Sequence, residues 1–168
     1  TNYHASNWKL AAVPLSQAVR GMKHWRTVIP EGKFPIESVE SVQDRLFVVT
    51  LENVHHVLRM YDLNGNLISK IRLPTFGTTI GLSGEAEGNE VFFGFTSFLI
   101  PFQVYRFDLT KNHLELLNEL KIKMDPNKFA VQQVWYQSKD RTKVPMFLIH
   151  KKGIRRNGKN PALIYGYG

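Results

Sequence analysis

Short apolar runs of β-branched and aromatic residues recur along the chain, each closed by Gly, Asn, Asp or Pro. Residues 46–51 (LFVVTL), 57–61 (VLRMY), 91–96 (VFFGFT) and 104–107 (VYRF) are the clearest, and they predict strands. Asn64-Gly65 lies between Tyr61-Asp62-Leu63 and Leu67-Ile68 and predicts a tight hairpin, because Gly and Asn accept the positive φ of such a turn. Residues 25–29 (WRTVI) predict an outer strand that closes an earlier unit beginning near Trp8.

The runs repeat. Tyr61-Asp62-Leu63 followed by Leu67 matches Phe107-Asp108-Leu109 followed by Leu114, 46 residues later, and the strands starting near Leu46 and Glu90 are 44 apart. A period in the mid-forties with about four strands per unit is the signature of β-propeller blades, each a small twisted sheet packed against its neighbours. In the repeated triplet the Asp binds nearby backbone N–H groups while its flanking apolar residues point into the blade. Asp62 and Asp108 are therefore expected to form turns and not an acid–base pair.

The character changes after about Met124. Asp125-Pro126-Asn127 punctuates the chain, and residues 131–136 and 143–150 predict two strands joined by the polar turn 138–142. A basic loop, 151–160, leads to residues 161–165 (PALIY), which predict a buried strand, and Gly166-Tyr167-Gly168 predicts a sharp turn leaving it. Two antiparallel strands followed by an apolar one suit the start of an α/β-hydrolase sheet, although periodicity alone fits a further blade equally well. The chain opens on Thr1 without an initiator Met and stops inside this last feature, so an internal piece of a longer protein is expected.

Composition narrows the class. Apolar residues make up 43% and charged residues 21% of the 168 residues, values that suit a soluble globular chain. No apolar run is long enough to span a bilayer, so no membrane partner is expected. There is no Cys, which removes disulfides and thiolate metal sites and fits a cytoplasmic protein. The net charge is +8, of which +7 lies between Lys139 and Lys159. That segment reads as a solvated loop face; no nucleic-acid motif accompanies it, and nucleic acid is not an expected partner.

A resemblance becomes specific at Thr1-Asn2 with His4, Phe95-Thr96-Ser97-Phe98 with Pro101, Asp108-Leu109-Thr110-Lys111, Ser138-Lys139-Asp140 with Thr142-Lys143, Pro145-Met146-Phe147, His150-Lys151-Lys152-Gly153, and Pro161-Ala162 with Tyr165-Gly166-Tyr167-Gly168. On these residues the chain resembles the prolyl oligopeptidase family over nearly its whole length, most densely from Phe95 onward. The resemblance implies the last blades of a seven-bladed β-propeller over residues 1–124 and the beginning of a truncated α/β-hydrolase domain over 125–168. It implies a serine peptidase that cuts short peptides on the carboxyl side of proline, works as a monomer and needs no cofactor. The second Tyr of the Tyr-Gly-Tyr-Gly stretch, Tyr167, is implied as the oxyanion-hole donor, with Tyr165 structural. A relative that cleaves after basic residues and a non-catalytic propeller used for protein binding are the alternatives.

The family's Ser, Asp and His follow that stretch in chain order, so this piece is expected to hold no triad and to be inactive and unstable alone. Gly81-Leu82-Ser83-Gly84-Glu85 departs from Gly-x-Ser-x-Gly at Glu85 and is expected to be a blade loop ahead of an outer strand. His55-His56 are expected in a blade turn on opposite faces, where they cannot share a metal; no metal site is expected there or at His150. Trp8, Trp25 and Trp135 are expected in the core or at blade edges.

Overall fold

The computed structural model describes residues 1–166. The chain divides into two compact units, Thr1–Lys123 and Met124–Gly168.

The first unit is built from antiparallel meanders. β1 (Leu10–Ala12) pairs with β2 (Arg26–Ile29), and two short 3-10 turns, Leu15–Arg20 and Met22–His24, lie between them. β3 (Ile36–Val42), β4 (Arg45–Glu52), β5 (His55–Asp62) and β6 (Leu67–Ile71) form a four-stranded sheet in chain order. β7 (Thr78–Ser83), β8 (Glu90–Thr96), β9 (Gln103–Asp108) and β10 (His113–Glu119) repeat that plan. The repeat predicted from the sequence is thus the repeat of the fold. The strand after Ser83 is interior to its sheet and not an outer one, because β7 precedes it in the ladder and supplies the terminal position.

The core shows why one sheet requires the next. β4 is buried on both faces, and its side chains divide by parity. Phe47 and Val49 enter one cluster with Leu58, Phe93 and Phe107, while Leu46 and Val48 enter another with Val28. Phe47 meets Phe107 edge to face, ring centroids 5.7 Å apart, which stitches the first four-stranded sheet to the second. Trp8 (47% exposed), Trp25 (36%) and Trp135 (49%) stay out of these clusters, which removes the core from the two places expected for them. The core layers are filled by Val and Phe from strand interiors, whereas Trp8 and Trp25 sit beside turns and Trp135 lies on a hairpin that is only half covered.

The connection between β5 and β6 differs in detail from the tight turn expected. Asp62 accepts from the N–H groups of Asn64 and Asn66, both at 2.8 Å, so a side-chain-capped loop of four residues, 63–66, replaces a two-residue hairpin. Only Gly65 takes a positive φ there, +86°. A two-residue hairpin does occur between β4 and β5, at Asn53 (φ 49°) and Val54 (φ 68°). Val is a poor occupant, since a β-branched side chain crowds the left-handed backbone.

The second unit opens with the 3-10 turn Pro126–Lys128, capped by the Asp125 carboxylate, which accepts from the Asn127 N–H at 3.0 Å. β11 (Phe129–Gln137) and β12 (Lys143–Lys151) then pair without a register shift. The buried strand expected at 161–165 is not formed. Those residues join no ladder, and Leu163, Ile164 and Tyr165 are 94%, 92% and 86% exposed. A strand persists only where a neighbour takes its backbone groups, and residues 161–166 have no such neighbour among the described residues. Tyr165, expected to pack at a strand end, is solvent-facing for the same reason.

Two substitutions test the backbone reading. A Cβ on Gly65 would sit 1.9 Å from the Val28 carbonyl oxygen, whereas one on Gly81 (φ +65°, at the β7 bulge) meets nothing within 4 Å. Gly81→Ala is expected to cost about 1 kcal/mol and Gly65→Ala at least about 2 kcal/mol more, measured by urea unfolding. Conversely, Val54→Gly is expected to raise stability by about 0.5–1 kcal/mol in the same assay, because it relieves the left-handed β-branched residue.

Candidate functional site

In the second unit the site implied by resemblance lies at the end of residues 161–166. Tyr167, the expected oxyanion donor, falls outside the described residues. What leads to it is described. The loop 151–160 folds back on the hairpin through Arg156, whose guanidinium donates to Gln132 Oε1 at 2.7 Å and lies 3.1 Å from His150 Nε2. His150 Nδ1 lies 2.8 Å from the Lys151 carbonyl oxygen, so Nδ1 carries the proton and Nε2 accepts from Arg156. The turn before β12 is held by Asp140, which accepts from the Thr142 N–H at 3.0 Å and from the Ser138 hydroxyl. Those bonds hold the Asp140 carboxyl below its usual pKa, the Ser138 bond contributing most.

The first unit carries its polar chemistry at the two ends of its sheets. At one end Asp62 and Asp108 cap the corresponding turns of the two repeats, as expected. Asp108 accepts from the N–H groups of Thr110 (2.9 Å) and Lys111 (3.0 Å). Its pKa is lowered to about 2, chiefly by the Thr110 hydroxyl, then by the Lys111 amide. Asp62 is lowered in the same way, chiefly by the Asn66 side chain.

At the other end, His55 and His56 begin β5 immediately after the turn and do not lie within it. They line a cavity of about 300 Å³ with Lys70, Arg72, Pro74 and Phe76. The His55 ring stacks edge-on against Phe76 at 4.9 Å, and its Nδ1 is buried without a hydrogen bond. His56 instead reaches the second sheet through Thr79. Beside them Arg59 pairs with Glu52 and donates to Thr50 Oγ1 at 3.0 Å. Burial raises the Glu52 pKa, but its bonds to Arg59 and Thr50 outweigh burial and hold the carboxyl below its usual value. No cluster of three or more metal-ligating side chains occurs among the described residues.

Ser83 is not placed as a nucleophile elbow. It ends β7 opposite Phe92, and a turn follows it, not a helix. Gly84 serves packing, since a Cβ there would stand 2.5 Å from Val42 Cγ2, and its N–H donates to Glu40 Oε1 at 3.2 Å. Sequence reasoning missed the Glu52–Arg59 pair and the His56–Thr79 contact. The first was visible only as opposite charges on one face of a hairpin, four residues off the facing position; the second joins residues 23 apart and left no local signal.

Residues 1–120 match the profile of the prolyl oligopeptidase N-terminal β-propeller domain. The chain belongs to the prolyl oligopeptidase family. It is 32% identical over 144 residues to the prolyl endopeptidase of Elizabethkingia meningoseptica, a match covering 86% of this chain and 20% of that protein. A solved prolyl endopeptidase aligns with a TM-score of 0.81 at 29% identity, covering 92% of this chain and 23% of its own. Prolyl oligopeptidase B from Galerina marginata, bound to a 35mer hydrolysis and macrocyclization substrate, aligns with a TM-score of 0.78 at 25% identity, covering 92% of this chain and 22% of its own. The chain thus spans about a fifth of the length of the curated relatives it matches.

The depressed Asp108 pKa has a signed consequence. A carboxyl whose folded pKa lies below its ordinary 3.8 stabilises the fold above that value and loses the contribution as pH falls through about 2. In Asp108→Asn the acid-side decline in melting temperature over that window is expected to be shallower than in wild type, followed by thermal unfolding at stepped pH.

Proposed function

We propose that the protein containing this chain is a serine peptidase of the prolyl oligopeptidase type, cutting short peptides on the carboxyl side of proline. The observation that carries the reading is the propeller-domain match over residues 1–120 together with Tyr165-Gly166-Tyr167-Gly168 placed beyond it. In this reading the first unit supplies the last blades of the propeller, β11 and β12 open the α/β-hydrolase domain, and residues 161–165 become its next strand only once the rest of that domain pairs with them. The likeness to a solved prolyl endopeptidase covers 92% of the chain and so reaches past the propeller match. A peptide partner is supported by the family neighbour that holds a 35mer substrate. The protein acts as a monomer in the cytoplasm and needs no cofactor.

The chemistry follows from the family's Ser, Asp and His, which belong to the other four fifths of the protein. The Ser hydroxyl attacks the carbonyl carbon of the proline residue while His takes its proton. The carbonyl oxygen becomes an anion, and the Tyr167 phenol donates to it. The tetrahedral intermediate then expels the amine, protonated by His, and water releases the acyl group by the reverse sequence. A donor fixed where charge develops stabilises the transition state more than the substrate, so its loss appears in kcat.

In the full-length protein, Tyr167→Phe is expected to lower kcat on a chromogenic prolyl peptide by about 100- to 1,000-fold with little change in KM. Unchanged turnover would remove Tyr167 from the oxyanion hole. A full-length protein that neither turns over the peptide nor reacts with a serine-directed phosphonate would end the peptidase reading. Residues 1–168 by themselves are expected to show no turnover.

A further inference from the structure

β7 is the terminal strand of its sheet, so one row of its backbone groups has no ladder partner. Two groups of that stretch are met from the other sheet. The His56 N–H donates to the Gly77 carbonyl at 2.9 Å, and the N–H of buried Thr79 donates to His56 Nδ1 at 3.0 Å. Thr79 Oγ1 stands 2.9 Å from the same nitrogen. A ring nitrogen accepts only through a lone pair, so the imidazole that holds this amide is neutral and carries its proton on Nε2. Gly77 lies so close to β8 that no side chain fits: a Cβ there would lie 2.3 Å from the Thr96 carbonyl oxygen.

We propose that His56 is a proton-operated latch between adjacent sheets: the neutral ring closes the seam at Thr79, and a proton on Nδ1 opens it. Protonation turns the acceptor into a second donor and leaves a buried N–H facing another N–H.

The charged surroundings set the direction. Burial is the largest influence and lowers the His56 pKa from its ordinary 6.5; Glu37 on β3 and then the Thr79 backbone contact oppose it, and His55 adds a smaller lowering. Lys70 and Arg72 line the cavity beside the ring, and Glu52, across the ladder from His55, is occupied by Arg59. Thr79 and Gly77 supply the uncharged side. A histidine with a depressed folded pKa stabilises the fold above the unfolded value and loses that contribution as pH falls through the folded one. The latch is therefore closed at neutral pH and released in mild acid.

Hydrogen exchange on the full-length protein tests this. Between about pH 7.5 and pH 5, exchange in a peptide spanning residues 77–82, corrected for intrinsic rate, should accelerate toward ~10-fold per pH unit while the β8–β9 ladder stays protected. His56→Asn places an Oδ1 acceptor where Nδ1 stood and cannot titrate, so it should abolish the acceleration while keeping protection at neutral pH. His55→Asn should leave the acceleration intact. No acceleration in wild type, or equal acceleration in His56→Asn, would overturn the latch. Should His56→Asn be loose at every pH, the wild-type series and His55→Asn decide.

Discussion

A four-stranded sheet that is apolar on both faces cannot stand in water alone, and the first unit is organised around that constraint. β4 states it most plainly. Phe47 and Val49 go to one layer and Leu46 and Val48 to the other, so the strand needs cover on two sides. Each such side chain, fully buried, contributes about 1.5–3 kcal/mol that is lost if its layer is left open. The β1–β2 hairpin covers one face and the second sheet covers the other. The sequence repeat is the same constraint written along the chain, because each unit is the wall its neighbour requires.

Apolar stacking holds the sheets together but does not fix their register, since hydrophobic burial has no direction. Directional contacts between the sheets do so. The Gln43 N–H donates to the Ala86 carbonyl at 2.7 Å and Gly84 N–H to Glu40 at one end; His56 with Gly77 and Thr79 does the same at the other. Removing the polar set would leave two sheets free to slide. The polar set is also where protons act, so pH sensitivity of the propeller stacking concentrates at His56, while the carboxyls of Asp62 and Asp108 are held below their ordinary pKa.

Most of the architecture was legible in the sequence because it depends on local patterns. The runs 46–51 and 91–96 became interior strands, and the matched triplets at Asp62 and Asp108 became matched turns, since strand propensity and side-chain capping act within a few residues. Legibility failed where the outcome rests on distant partners. Residues 161–165 carry a strand's composition but meet no ladder among the described residues. Asn64-Gly65 looked like a two-residue turn, yet the Asp62 carboxylate captured the loop first. The hairpin at Asn53-Val54 was missed because Val is the wrong residue for its backbone. The Trp residues could not be assigned between core and edge, because size alone does not say which layer has room. Of the candidate site, the motif containing Tyr167 was visible as sequence, and its geometry was not.

The second unit inverts the balance seen in the first. Its hairpin is half covered, and Leu163, Ile164 and Tyr165, the most apolar stretch near its end, face solvent. That bears directly on the proposed chemistry. An oxyanion donor accelerates a reaction only when it is held in place beforehand; a phenol that must be ordered during the reaction spends its advantage on that ordering. A catalytic Tyr167 therefore requires residues 161–165 to be paired strands in the full-length enzyme, with Leu163 and Ile164 buried beneath it. Protection of those amides and the kcat effect of the phenol are one physical proposition. A segment that stays open to exchange in the active enzyme cannot also position the group that stabilises its transition state.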